Sequence, residues 1–426
     1  MGSLTRRRGP ALACTLLLAL VMTGGSGQSI LPASPPSSPG LSACARFLPL
    51  PPANASAVHQ PPTPDLPPPA PRREQSFRHA VHTLFLDKAV ARLAAGAGFD
   101  TVVQVFPWRD LNPYPGLYAW EASDYMVRMA RTYELELVIR LDMPPAWAVV
   151  REASGLPFDL VAYADFVSAV AARYRGHVLG YIIWNEPNLA AEWSRSGQEG
   201  AERGILSEEW VADPADYVGL LGVAFDRIRA ADPQALVVAA GLAPTNEISP
   251  RALDDRPFLR GMYAAGANDC FDVLGVHDYG YGLSPEDERG AHEGLNLARI
   301  LDLHEIMQEH NAAKPVWITE LGYTIQPGGH PSVGEEDQAS YLTGAFKRVR
   351  QEWPWVDMLA VWNLCYGRPP GDEMSGYSLI EPDLKPRQAY RALQEMIGRT
   401  TIAERTAGTR PAGPRRGPRS PRGGGG

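Results

Sequence analysis

Cysteine is scarce in this chain, at four among 426 residues. Cys14 lies in an N-terminal apolar run, and only Cys44, Cys270 and Cys365 remain if that run is removed. An odd, sparse set argues against a disulfide framework and casts the cysteines as packing residues. No Cys/His pair stands at ligand spacing, so neither a structural zinc nor any other metal or cofactor is expected. No glycine-rich phosphate loop follows the first apolar strand, which weighs against a nucleotide-binding doubly wound sheet. Long apolar runs are lacking too: Ala11 to Met22 falls short of the roughly 20 residues that a membrane span needs. Basic charge is not gathered on a folded region; the formal net charge of −8 belongs to the middle of the chain, and the tail "RPAGPRRGPRSPRGGGG" is basic. A nucleic-acid partner would need a basic folded face with aromatic neighbours, so none is expected.

Proline, by contrast, is abundant, with 40 residues and a dense group between Pro32 and Pro71. Arg6, Arg7 and Arg8 before the apolar run read as an export signal over residues 1–27, although no A-x-A cleavage pattern is present; left uncleaved, the same segment is an anchor. The expected location is extracytoplasmic, either secreted or associated with the cell envelope through the N-terminus. Residues 28–73, rich in Pro and Ser, predict a disordered polyproline II linker. Residues 399–426, rich in Arg, Gly and Pro, predict a disordered tail.

Residues 74–398 remain for one folded domain of a size ordinary for an α/β barrel. Eight short apolar runs predict strands: "HAVHTLF" at 79–85, "DTVVQVF" at 100–106, "LELVIRL" at 135–141, "LGYIIW" at 179–184, "ALVVAA" at 235–240, "FDVLGVH" at 271–277, "PVWIT" at 315–319 and "DMLAVW" at 357–362. Helical periodicity lies between them, as where Leu160, Tyr163, Phe166, Val167 and Val170 recur at three-to-four spacing. Asp213-Pro214 opens another such stretch as cap and first-turn residue. Near-continuous apolar strands each followed by a helix imply a parallel sheet covered by helices, and eight units favour a closed (β/α)8 TIM barrel.

In such a barrel, chemistry collects at the C-terminal strand ends. The fourth strand runs into Asn185 and Glu186, the sixth into His277, Asp278 and Tyr279, the seventh into Glu320, and the eighth into Trp362 and Asn363. Each has a plain structural reading. Asn-Glu-Pro after a strand is often a helix start, His277 can be a satisfied core histidine, and Trp362 can simply fill the barrel. Taken together, carboxylates on strands four and seven face one another across the mouth. Glycoside hydrolysis needs such a pair, one protonated and one ionised, in environments that separate their pKa values. Asn185 beside them can hydrogen-bond a sugar 2-hydroxyl.

On these residues the sequence resembles clan A of the glycoside hydrolases. The strings "IWNEPNLAAEW", "VWITELGY" and "YSLIEPDLKPRQAYRAL", with "DLNPYPGLYAWEASDYMV" and "MPPAWA", are similar to bacterial cellulase-like and family 39-like proteins, over nearly all of residues 76–398. The resemblance implies a retaining glycosidase that cleaves β-linked oligo- or polysaccharide by double displacement, with carboxyl groups about 5 to 5.5 Å apart. It implies Glu186 as general acid/base, Glu320 as nucleophile and Asn185 as 2-hydroxyl ligand. Tyr279 would orient Glu320, His277 would lie beside Glu186, and Trp362 would form the floor under the sugar. One departure stands out: many clan members carry an arginine near the end of strand two, where this chain has Gln104. Arg140 on strand three is then the candidate cation, or else a plain salt-bridge partner of Asp142. Trp193, Trp210, Tyr263 and Tyr281, assigned to the long loops after strands four and six, are candidate sugar-stacking aromatics. The same residues also suit a transglycosylase or a non-catalytic carbohydrate-binding barrel.

Overall fold

The computed structural model describes Leu66 and residues 77–150, 156–193, 211–367 and 371–408. The expected signal segment, nearly all of the linker and the end of the tail lie outside the described residues. Eight parallel strands close into a barrel: β1 (Arg78–Thr83), β2 (Thr101–Val105), β3 (Glu136–Leu141), β4 (Gly180–Ile183), β5 (Leu236–Ala239), β6 (Val273–His277), β7 (Val316–Leu321) and β8 (Val356–Val361). Each falls on one of the eight predicted runs. β1 pairs with both β2 and β8, which seals the sheet and leaves no barrel edge.

A helix follows each strand: α1 (Lys88–Ala97), α2 (Glu121–Thr132), α3 (Leu160–Arg173), α4 (Pro214–Ala231), α5 (Asp255–Ala264), α6 (Ile300–Glu309), α7 (Glu335–Glu352) and α8 (Gln388–Gly408). Local chemistry sets several of their starts. Asp87, Asp159 and Asp213 each accept a backbone N–H of the first turn, and Pro214 follows its cap where the missing N–H costs nothing. α8 continues past residue 398, where the sequence had suggested the domain would end.

The strand pleat divides the side chains into two cores. Ala80, Val103, Val138, Ile182, Val238, Val273, Trp317, Met358 and Ala360 fill the barrel. A larger apolar layer packs between strands and helices. Leu66, from the stretch expected to be linker, packs against that outer layer. Cys270 is disulfide-bonded, which corrects its assignment as a simple packing residue, whereas Cys365 is a free thiol. Among the described residues no helix is long and apolar enough to cross a membrane.

Candidate active site

The inward-facing series of each strand continues upward into the polar mouth. Two residues beyond Ala80 in β1 stands His82; two beyond Val138 in β3 stands Arg140; four beyond Val273 in β6 stands His277; two beyond Ala360 stands Trp362. Glu320 breaks this rule. Trp317 faces inward, so an unbroken alternation would turn Glu320 toward the helices. β7 instead carries one residue more than either neighbour: Val276 pairs with Ile318 but His277 with Glu320, and Leu359 pairs with Ile318 but Val361 with Leu321. That bulge re-aims the carboxylate into the mouth.

Glu186 arrives by a different route. Past the end of β4, Trp184 and Glu186 adopt φ values of 74° and 39°, a left-handed conformation that costs on the order of 1–3 kcal/mol per residue. Packing holds it: Trp184 stacks on Phe158 at 4.9 Å and on Trp193 at 5.0 Å, and the Glu186 N–H donates to the Gly241 carbonyl at 3.1 Å. Gly241 has to be glycine, because a Cβ there would stand 2.1 Å from His277 Cδ2. Asn188 then clamps the turn, donating to the Ala243 and Leu253 carbonyls and accepting from the Ala243 N–H, each at 2.9 Å.

These two routes bring the carboxylates together. One oxygen of Glu186, one of Glu320 and a ring nitrogen of His277 all lie within 4.8 Å of one another, and the three residues are buried. Glu320 Oε1 accepts from Arg140 Nη1 at 2.6 Å and Oε2 accepts from the Tyr279 hydroxyl at 2.6 Å. Burial alone would raise its pKa; His277, His82, Arg140 and the Tyr279 hydroxyl outweigh burial and hold it at about 2. Glu186 Oε1 lies 2.9 Å from His277 Nδ1, with a proton between them. Burial disfavours a charge on His277, but the Glu320 and Glu186 carboxylates raise its pKa above the ordinary value. These three atoms could enclose a cation by spacing alone. Both oxygens of Glu320 already accept hydrogen bonds, however, and the Arg140 guanidinium would repel a divalent ion at this range.

The remaining expected residues divide. Asn185 Oδ1 accepts from Arg140 Nη1 at 2.7 Å. Arg140 is a buried cation among Asp142, Glu320, Glu192 and Glu186; burial opposes its charge and these carboxylates sustain it. It pairs with Asp142 at 2.9 Å and with Glu320 at 2.6 Å. Gln104 makes no hydrogen bond to Glu320: its amide accepts from Thr83 at 2.8 Å and donates to the Leu84 and Val105 carbonyls. Trp362 packs with Tyr366 and Tyr377 beside Tyr279, its ring edge-on to His82 at 4.9 Å, and the Trp362–Asn363 peptide is cis. Of the loop aromatics, Tyr281 stays at the mouth, donating to the Pro244 carbonyl and stacking on His330. Trp193 is buried beneath Trp184, and Tyr263 lies on α5 stacked on His310, so neither is a sugar platform. Trp210 lies outside the described residues.

Two site residues had no sequence signal. His82, fully buried, donates from Nε2 to the Thr319 carbonyl at 2.9 Å and sits 3.8 Å from Glu320 Oε1. Burial lowers its pKa to about 3, so near neutral pH it is uncharged and the Glu320 anion rests on His277, Arg140 and Tyr279. Glu192, also buried, accepts from Asn185 Nδ2 at 3.0 Å.

No family model and no curated protein matches the chain. Solved structures share its fold. A family 39 glycoside hydrolase from the gut symbiont Bacteroides cellulosilyticus WH2 superposes with a TM-score of 0.57 at 18% identity, over 75% of this chain and 63% of that one. A glucosidase from Croceicoccus marinus gives 0.56 at 14% identity, over 76% and 68%, and xylanase 10B from Thermotoga maritima gives 0.52 at 17%, over 77% and 96%. The chain thus spans less than two thirds of the first of these.

Proposed function

We propose that the chain is a retaining glycosidase that cleaves β-linked oligo- or polysaccharide, with Glu320 as nucleophile and Glu186 as general acid/base. The observation that carries this reading is the pair of buried carboxylates from β4 and β7, which bring one oxygen each within 4.8 Å and so stand closer than a water-spanning pair requires. An inverting enzyme needs about 6.5–9.5 Å to seat a water between its carboxyl groups, whereas a nucleophile must reach the anomeric carbon directly. The opposed environments support the division of roles. Glu320, held ionised, attacks the anomeric carbon as Glu186 passes its proton to the departing oxygen; Glu186 then takes a proton from the water that releases the glycosyl-enzyme. Asn185 would hold the 2-hydroxyl, and Trp362 would lie under the ring. The glycoside hydrolases that share this fold support the substrate class.

The location we propose is extracytoplasmic, secreted or held at the cell envelope. The arginine-flanked apolar run supports it, as does the disulfide at Cys270, which suits an oxidising compartment.

Glu320→Ala is expected to abolish turnover of aryl β-glycosides, by about 10⁴-fold or more. Azide should restore product, as a glycosyl azide of inverted anomeric configuration. Wild-type rates in this variant would remove Glu320 from the mechanism.

A further inference from the structure

We infer that Glu192 is a positioning residue that fixes which way round the Asn185 amide faces and so reserves one of its N–H groups for the sugar 2-hydroxyl. This rests on the glycosidase reading above and assigns a residue which that reading does not use. A primary amide offers two donor hydrogens on nitrogen and two acceptor positions on oxygen. In Asn185 the oxygen accepts from Arg140 Nη1 at 2.7 Å, and the nitrogen donates to Glu192 Oε2 at 3.0 Å. Turning the amide over would set its NH2 against the guanidinium and its oxygen against the carboxylate, two repulsive contacts in a buried site. Arg140 is a divided lock, because the same Nη1 also donates to Glu320 at 2.6 Å. Glu192 supplies the second constraint and leaves a single Nδ2 hydrogen uncommitted.

Glu192 is itself rigidly mounted. It lies in the helical turn Ala190–Trp193, its N–H donates to the Leu189 carbonyl, and the Trp193 indole donates to the Pro187 carbonyl at 2.7 Å. The nearby guanidinium offsets the burial of its charge. A buried carboxylate held on a clamped turn, accepting from the amide beside the acid/base, orients that amide.

The test uses the full chain and matched aryl β-glycosides with and without the 2-hydroxyl, assayed on wild type, Asn185→Ala, Glu192→Ala and Glu192→Gln. Asn185→Ala and Glu192→Ala are each expected to lose about 10- to 100-fold in kcat/KM on the 2-hydroxy substrate, mostly in kcat, and little on the 2-deoxy substrate. Glu192→Gln, which can still accept through its amide oxygen, should fall between. Equal losses on both substrates would overturn the inference by making Glu192 merely structural, as would no loss on either. Where Glu192→Ala is not folded by circular dichroism, the isosteric Gln variant carries the same comparison and an equal loss there overturns it. Selective loss in Asn185→Ala with the Glu192 variants unaffected refutes the Glu192 role alone. A wild type that turns over neither substrate overturns the glycosidase reading and this inference with it.

Discussion

The end of β4 and the end of β7 each deliver one glutamate to the same mouth, and they differ in almost everything else. Glu320 lies within its strand, is turned inward by one extra residue, and is surrounded by donors: a guanidinium on one oxygen and a phenol on the other. Glu186 lies beyond its strand on a strained, clamped turn, and its hydrogen-bond partner is a histidine that can hold or release a proton. Two chemically identical side chains thereby stand in different surroundings, which suits the division of roles proposed above.

Removing Glu186 should expose that difference most strongly. For Glu186→Ala, kcat on a glycoside with a poor leaving group is expected to fall by about 10²–10⁴-fold, while formation of the glycosyl-enzyme from a dinitrophenyl glycoside, which needs no proton, falls far less. Equal losses on the two leaving groups would remove Glu186 as the acid. Arg140→Gln tests the other strand end, and the expected loss is smaller, about 10²–10³-fold. Its pH profile is the sharper readout. In the proposed mechanism Glu320 attacks only when ionised, so activity should be lost as pH falls through its pKa, which stands at about 2. Without the guanidinium, burial is less opposed and that pKa rises, so the acid limb of kcat/KM should move upward in pH. An unmoved limb would mean that Arg140 does not hold the anion.

Much of this was legible in the sequence. The strands are apolar runs, their helices carry capping aspartates, and Asn185, Glu186 and Glu320 follow directly on the fourth and seventh of those runs. What was not legible depended on geometry. Glu320 reads as a residue just past "PVWIT", yet it lies inside a strand and faces inward only through a bulge that no residue type announces. Arg140 on strand three was a candidate cation in the sequence, but its simultaneous pairing with Glu320 and Asp142, and the commitment of Gln104 to Thr83 and to backbone carbonyls, were not legible there. Trp193 looks like a sugar platform in sequence and is a buried prop for Trp184. His82 and Glu192 matter through partners, Thr319 and Asn185, that only the folded chain sets against them. Cys270 belongs with these, since spacing alone does not reveal its disulfide.

The smallest effect belongs to His82, which supports the β7 end without carrying charge. Burial lowers its pKa from 6.5 to about 3. Between those values the unfolded chain binds a proton that the folded chain refuses, so stability falls as pH drops through that window. By pH 4.5 this single group should have cost on the order of 2 kcal/mol, which is several degrees in Tm for a domain of this size. His82→Gln can place its amide N–H where Nε2 stood, retaining a donor for the Thr319 carbonyl, and has no proton to refuse. Its Tm should therefore drop less than that of wild type between pH 7 and pH 4.5, whatever packing it loses at both. The comparison is a difference of differences, so the other acid-sensitive groups cancel. An identical drop in the two proteins would show that the ring is not held neutral by the barrel wall, and the support beneath Glu320 would then have to be a charged one.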